Sequence, residues 1–392
     1  MTSSLVTSVT RLARPLSPVL VASLLVAATA AADVLFVPGD HPTINEAIEV
    51  AVDGDIIEVA SGIYRENLVI SGKQIAIRGS QVDPPTVIDG SAPVNDCGSC
   101  VLVTGGSLLL DHLVLRNGTG CPVFGITRGG GIYAEFAVVE VINTVIEDCV
   151  LKTEPFGSTT WGGGICSYFG SLVVEGSTIR GNRADGEGGG IWSTHATLLV
   201  GNSRIEDNHA LLGGGVLIEG GEASIDFSTL RGNTALAEGG AALVRQAAHA
   251  GFYDVRFDAN AAPDGAGIWS SAIAGAALDC IFSEQVADSD GATVRLDDLD
   301  LVFGDYVLGG NRFCGSTGVD VSGQWVEGEP NEFLERCPPA GDLDGDGLID
   351  GADLSILLGA WGAIDDRSGP DLDLDGVVDG ADLTILLGNW TG

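Results

Sequence analysis

Two segments near the carboxy-terminal end of this 392-residue chain set aspartates at every second position: "DLDGDGLIDGAD" at 342–353 and "DLDLDGVVDGAD" at 371–382. Carboxylates spaced this way converge on one cation. In the first loop Asp342, Asp344 and Asp346 take positions 1, 3 and 5, the Leu348 carbonyl position 7, Asp350 position 9 and Asp353 position 12, with Gly347 at the sharp turn. The second loop repeats the set 29 residues later with Asp371, Asp373, Asp375, the Val377 carbonyl, Asp379 and Asp382. Hard oxygen donors in a flexible loop select calcium over zinc or magnesium, so two Ca²⁺ ions are expected. From 341 onward there are twelve aspartates and one basic residue, Arg367, a charge density that repels itself unless a cation is bound.

The elements that must hold these loops follow them directly. Leu354, Leu357, Leu358 and Trp361, then Leu383, Leu386, Leu387 and Trp390, recur at i, i+3, i+4 and i+7, which predicts two short helices packed through their apolar faces. "CPPAG" at 337–341 leaves no room for a helix before the first loop. Each unit is therefore half an EF-hand, and its folding is expected to depend on calcium. This arrangement resembles the type I dockerin module. The resemblance implies a calcium-dependent plug that docks to a cohesin-like or cell-surface protein. The pairs usually read by such a partner are here Gly351-Ala352, Gly380-Ala381, Leu358-Gly359 and Leu387-Gly388, which departs from the hydroxylic or basic residues of the family.

Other candidate chemistry is thinner. Asp297, Asp298 and Asp300 form an acidic cluster without a basic companion and read as a solvated turn. His41, His112, His195, His209 and His249 share no metal-ligand spacing, and Cys97-Gly-Ser-Cys100 lacks the second pair a zinc site needs. Eight cysteines in an exported chain predict disulfides, with the pairing open among 105 possibilities. Trp192 and Trp269 each follow an inward isoleucine, so strand alternation puts them outside, where they are candidates for stacking on a sugar.

What positions those residues is a repeat. The glycine marks "GGGIY", "GGGIC", "GGGIW", "GGGVL", "GGAAL" and "GAGIW" begin at 129, 162, 188, 213, 239 and 265, and a second mark ends at Asn182, Asn208, Asn233 and Asn260. Units of about 26 residues holding short β-branched runs predict stacked coils of strand. Glycine and asparagine suit turns that need left-handed backbone. In register, Ile146, Ile179, Ile205, Leu230 and Phe257 form an apolar column, and Glu147, Arg180, Glu206, Arg231 and Asp258 an outward column of alternating sign. "HPTINEAIEVAVDGD" at 41–55 reads as a short amphipathic helix, capped by Thr43 and Glu46, that lids the first coil. The run "PTINEAIEVAVDGDIIEVASGIYRENLVISGKQIAIRG" resembles the opening of pectin-lyase-like proteins, and the glycine and I-x-x-N marks resemble the repeats of chlamydial polymorphic outer-membrane proteins. The fold class implied is an all-β, right-handed parallel β-helix with an N-terminal capping helix, followed by a small helical dockerin-like domain.

Residues 1–32 read as a signal peptide with an A-x-A cut near Ala30 or Ala32, residues 33–335 as the β-helix, 336–340 as a linker and 341–392 as the calcium module. The mature chain is expected to be secreted or at the cell surface, with no membrane span. A net charge of −36 argues against nucleic acid and anionic lipid as partners. The function expected is polysaccharide binding or a structural role, anchored by the calcium module. The alternative is a polysaccharide lyase or glycoside hydrolase, although no catalytic constellation is legible.

Overall fold

Strand-forming runs in this chain are short, three to five residues for the most part, and each is followed by a residue that turns the backbone. In the coil of strands Ile132–Glu135, Val138–Ile142 and Val145–Glu147, the turns come at Phe136, Asn143 and Asp148, all with positive φ. The next coil repeats the pattern, and its strands Ile165–Tyr168, Ser171–Glu175 and Thr178–Arg180 pair with the first three in parallel. Continued along the chain, this builds three parallel sheets of 10, 12 and 11 strands, the faces of a right-handed parallel β-helix. The computed structural model describes residues 32–92, 97–153, 159–247, 249–272, 274–288, 291–296, 306–339, 341–344, 347–363, 370–372 and 377–391. The expected signal peptide through residue 31, and Asp297, Asp298 and Asp300, lie outside them.

Period-2 alternation fills the interior. Ile146, Ile179, Ile205, Leu230 and Phe257 are fully buried in one column, as the sequence pattern requires. The column continues as a ring stack, Phe257 on Phe282 at 4.5 Å and Phe282 on Phe313 at 4.7 Å. One position on, Glu147, Arg180, Glu206, Arg231 and Asp258 stand in register on the outside, with Arg180 to Glu147 at 2.6 Å and Arg231 to Asp258 at 3.4 Å. These exposed pairs hold register and add little stability.

The asparagine marks differ from expectation. Positive φ falls on the residue before each one, Gly181, Asp207, Gly232 and Ala259, while the asparagine itself turns inward. Asn208 donates its backbone N–H and Nδ2–H to Asn233 Oδ1 at 3.1 and 3.0 Å, and Nδ2–H to the Ile179 carbonyl at 2.9 Å. Asn182 and Asn233 repeat this geometry, so a buried amide ladder satisfies the corner of each coil. In the glycine marks, the second residue has no room for a side chain: a Cβ on Gly163 would strike the carbonyl oxygen of Gly189 in the next coil.

Helix α1 (Ile44–Val50) covers the first coil. Thr43 Oγ1 accepts from the Glu46 N–H at 3.2 Å, and Ile44, Ala47 and Ile48 are buried. Lys73 closes its far end, donating from Nζ to the carbonyls of Glu49 and Ala51 at 2.9 and 2.8 Å. At the other end, strand Glu332–Leu334 still pairs with Arg312–Cys314, and a disulfide joins Cys314 to Cys337. A second disulfide joins Cys97 to Cys121, which removes Cys97 from any zinc site.

Candidate functional site

The two aspartate loops are each followed by a nine-residue helix, α2 (Gly351–Gly359) and α3 (Gly380–Gly388). Asp350 and Asp379 are their N-caps. Each accepts from the N–H two residues on, at 2.7 Å. Asp353, in the first turn of α2, is 1% exposed and accepts from the backbone N–H groups of Leu343, Asp344 and Asp350 at 2.6, 3.2 and 2.8 Å. Asp382, fully buried, does the same in the second loop with Leu372 and Asp379 at 2.6 and 2.8 Å. The Asp350 N–H, opposed by burial and aided by Leu343 and Asp344, holds the Asp353 carboxyl below the usual carboxylate range.

Asp342, Asp344 and Asp353 each bring a carboxylate oxygen within 4.8 Å of the others. Two oxygens on one Ca²⁺ stand at most about 5 Å apart, given bonds of roughly 2.3–2.6 Å. The donor set therefore fits calcium in both chemistry and spread. Gly347, at φ 88°, turns the loop and donates to Asp342 Oδ2 at 3.0 Å. Leu348 lies on the same loop with its side chain outward. Of the second loop, Asp371 is buried, and Val377 pairs with Ala363 in a two-stranded ladder. Asp346, Asp373 and Asp375 lie outside the described residues.

Each loop is clamped by the chain leaving the opposite helix. Gly362 and Ala363, just after α2, pair with Val377 and Val378 of the second loop, while Thr391, just after α3, hydrogen-bonds Ile349 of the first at 2.7 and 3.0 Å. Ile349, Val378, Leu357 and Leu386 form the core between them. The apolar stripe read from sequence is thus divided: Leu354 and Leu383 are half-buried, and Leu358, Trp361, Leu387 and Trp390 face outward. The loops supply Ile349 and Val378, which take the place the outer leucines were expected to fill.

The tryptophans require a correction. Trp192 does point away from the interior of the β-helix, yet it is 1% exposed and offers no face to a sugar. Short ladders from Thr159–Trp161, Arg183–Ala184, His209–Leu212 and Thr234–Glu238 fold over the ten-stranded sheet and bury its outer column of Tyr133, Cys166, Trp192, Leu217 and Leu243. Trp192 stacks on Trp161 at 4.3 Å, and Trp269 at the edge of the same cluster is half-buried. Sequence reasoning missed Arg128, 7% exposed, whose guanidinium lies 5.0 Å from the Trp161 ring and 4.9 Å from the Tyr168 ring and donates to the Tyr133 hydroxyl at 2.9 Å. Its hairpin, Cys121–Val123 with Ile126–Arg128, precedes the first glycine mark, so no periodicity announces it.

No family model matches the chain. A Dictyostelium discoideum protein named metabotropic glutamate receptor-like protein R is 32% identical over 103 residues, which are 26% of this chain and 6% of that one. Among solved structures, the pectin methylesterase from Aspergillus niger in deglycosylated form overlays with a TM-score of 0.42 at 13% identity, over 76% of this chain and 92% of that one. At that distance no residue role is carried over. Among the described residues, no histidine joins a group of three metal-binding side chains, and no helix is long and apolar enough to cross a membrane.

Proposed function

We propose that this is an exported β-helix protein that presents a polysaccharide-binding surface and is held in place by a calcium-set carboxy-terminal module, which docks to a cohesin-like or other cell-surface protein. The observation that carries this reading is the paired loop-and-helix unit. The aspartates of its first loop fit a calcium ion, the second loop repeats their spacing, and its outer leucines and tryptophans remain available to a partner. Leu358, Trp361 and Leu387 are each 51% exposed and Trp390 is 38% exposed, a larger apolar display than a nine-residue helix needs for its own packing. Calcium supplies the charge neutralisation that lets the loops close. Asp342, Asp344 and Asp353 hold it in the first loop, and the matching aspartates in the second. The test is capture of surface proteins by the full chain in calcium and in chelator. Calcium-dependent capture is expected, and equal capture in both rejects the docking role.

The hydrolase alternative rests on one pair. Glu175 and Asp226 share a column on the twelve-stranded sheet with Gly201 between them, two coils or about 10 Å apart at the backbone. Burial, opposed by the Ser224 hydrogen bond and aided by the Glu175 charge, raises the Asp226 carboxyl above its usual range, as a general acid requires. New reducing ends on incubation with neutral and acidic glycans, lost in Asp226→Asn, would establish it.

A further inference from the structure

On the outer face of the ten-stranded sheet, a cavity of 480 Å³ is lined by Leu102, Thr104, Tyr133 and Glu135, with one wall from Cys121 to Val123. The wall belongs to the hairpin that the Cys97–Cys121 disulfide fastens down. Tyr133 is 2% exposed, and its oxygen accepts from Arg128 Nη1 at 2.9 Å, so it forms the fixed floor of the cavity. Thr104 Oγ1, 2.8 Å from Ser71 Oγ, and the half-buried Glu135 carboxylate are the polar groups that reach its surface.

Next to Glu135, the turn residues of successive coils form a ring stack: Phe136 on Phe169 at 5.4 Å and Phe169 on His195 at 4.9 Å. Beyond His195 the stack closes on Gly220, whose Cβ position lies 3.3 Å from the imidazole. At the other end the coil beneath Phe136 carries Gly105. A Cβ there would meet only the Gly72 Cα, at 4.0 Å, so the space under the ring is open. Phe136 is 64% exposed, an apolar ring held on one side and bare on the other.

The geometry points to a saccharide subsite in which one pyranose ring stacks its C–H face on Phe136 and turns its hydroxyls to Glu135 and Thr104. A carboxylate that accepts adjacent hydroxyls repels an anionic sugar, and the net charge of −36 adds to that repulsion, so the ligand is a neutral glycan and not a polyuronate. The subsite rests on the reading of the β-helix as a polysaccharide-binding surface, and gives that surface its location and class.

Calorimetric titration of the full chain with neutral pyranose hexasaccharides, and with a galacturonate hexamer as the anionic arm, tests both. Saturable binding of at least one neutral glycan is expected, weakened about tenfold by Phe136→Leu, restored by Phe136→Trp and weakened by Glu135→Gln. Leucine keeps the packing on Phe169, so loss of affinity with an unchanged melting temperature reports the bare ring face. If the wild type binds a neutral glycan and Phe136→Leu binds it equally well, the subsite is overturned while the surface reading stands. Binding of galacturonate alone overturns the neutral class in the same way. Binding of no glycan overturns both.

Discussion

Asn208 is buried with every polar atom of its amide in use, since Oδ1 also accepts from the Asn182 backbone and side chain at 3.0 and 3.1 Å. Asn208→Ala leaves donors and acceptors on two neighbouring coils unsatisfied. It should cost about 2–4 kcal/mol, read as a lower urea midpoint. The position was legible from the I-x-x-N spacing, but its role was not, because asparagine suits both a left-handed turn and a buried ladder. Only the stacked coil shows that Asp207 takes the turn and frees Asn208 to face inward. Asp353 carries the opposite kind of dependence. Its carboxyl is lowered in the folded state, so its contribution is present above the unfolded value of about 3.9 and is lost as pH falls through the lower native value. With calcium present, circular dichroism should therefore show the module losing helicity as pH falls below about 4, where protonation of Asp353 removes its backbone hydrogen bonds and its hold on the ion, and Asp353→Asn should lose it at a higher pH. The same variant should weaken calcium binding at neutral pH by about tenfold or more.

At the scale of elements, α2 and α3 show what a nine-residue helix discloses and what it conceals. Their existence is plain in the sequence from the apolar period at Leu354 and Leu383, and the structure adds their caps, Asp350 and Asp379 in capping boxes with Asp353 and Asp382. Their buried side is not plain. Leucine occupies consecutive positions at 357–358 and 386–387, and which of each pair is core depends on where the loops lay Ile349 and Val378. Leu357→Ala should cost about 2–5 kcal/mol of module stability and Leu358→Ala about 0.5 or less, a contrast that calcium-loaded thermal melts of the two variants measure directly. The ten-stranded sheet conceals its outer face for the same reason. Alternation places Trp192 outside the β-helix correctly, but the strands that cover it, Arg183–Ala184, His209–Leu212 and Thr234–Glu238, recur with the coils as runs too short and mixed to read as strand.

A stack of coils has two ends, and at each a row of backbone N–H and C=O groups meets solvent unless something stands in the way. At the carboxy-terminal end the last strands, Val319–Ser322, Val326–Glu327 and Glu332–Leu334, carry the exposed Glu327 carboxylate, and Glu332 pairs with Arg312 at 2.7 Å. Both ends also expose apolar side chains, Val326 and Phe333 at this one. At the amino-terminal end Val34 and Phe36 on the first strand are 43% and 52% exposed, and there α1 does the covering. Its hold is a few buried side chains and the Lys73 ammonium on its final carbonyls. Ile48→Asp places a charge in that contact and should lift the helix while leaving the coils beneath intact, because each coil of a solenoid is stabilised chiefly by its neighbours. The expected outcome in sedimentation is self-association of Ile48→Asp at concentrations where the wild type and a Glu46→Gln control remain monodisperse. A monodisperse Ile48→Asp protein with an unfolded first coil would instead show that the end is protected by the coil's own instability and not by its lid.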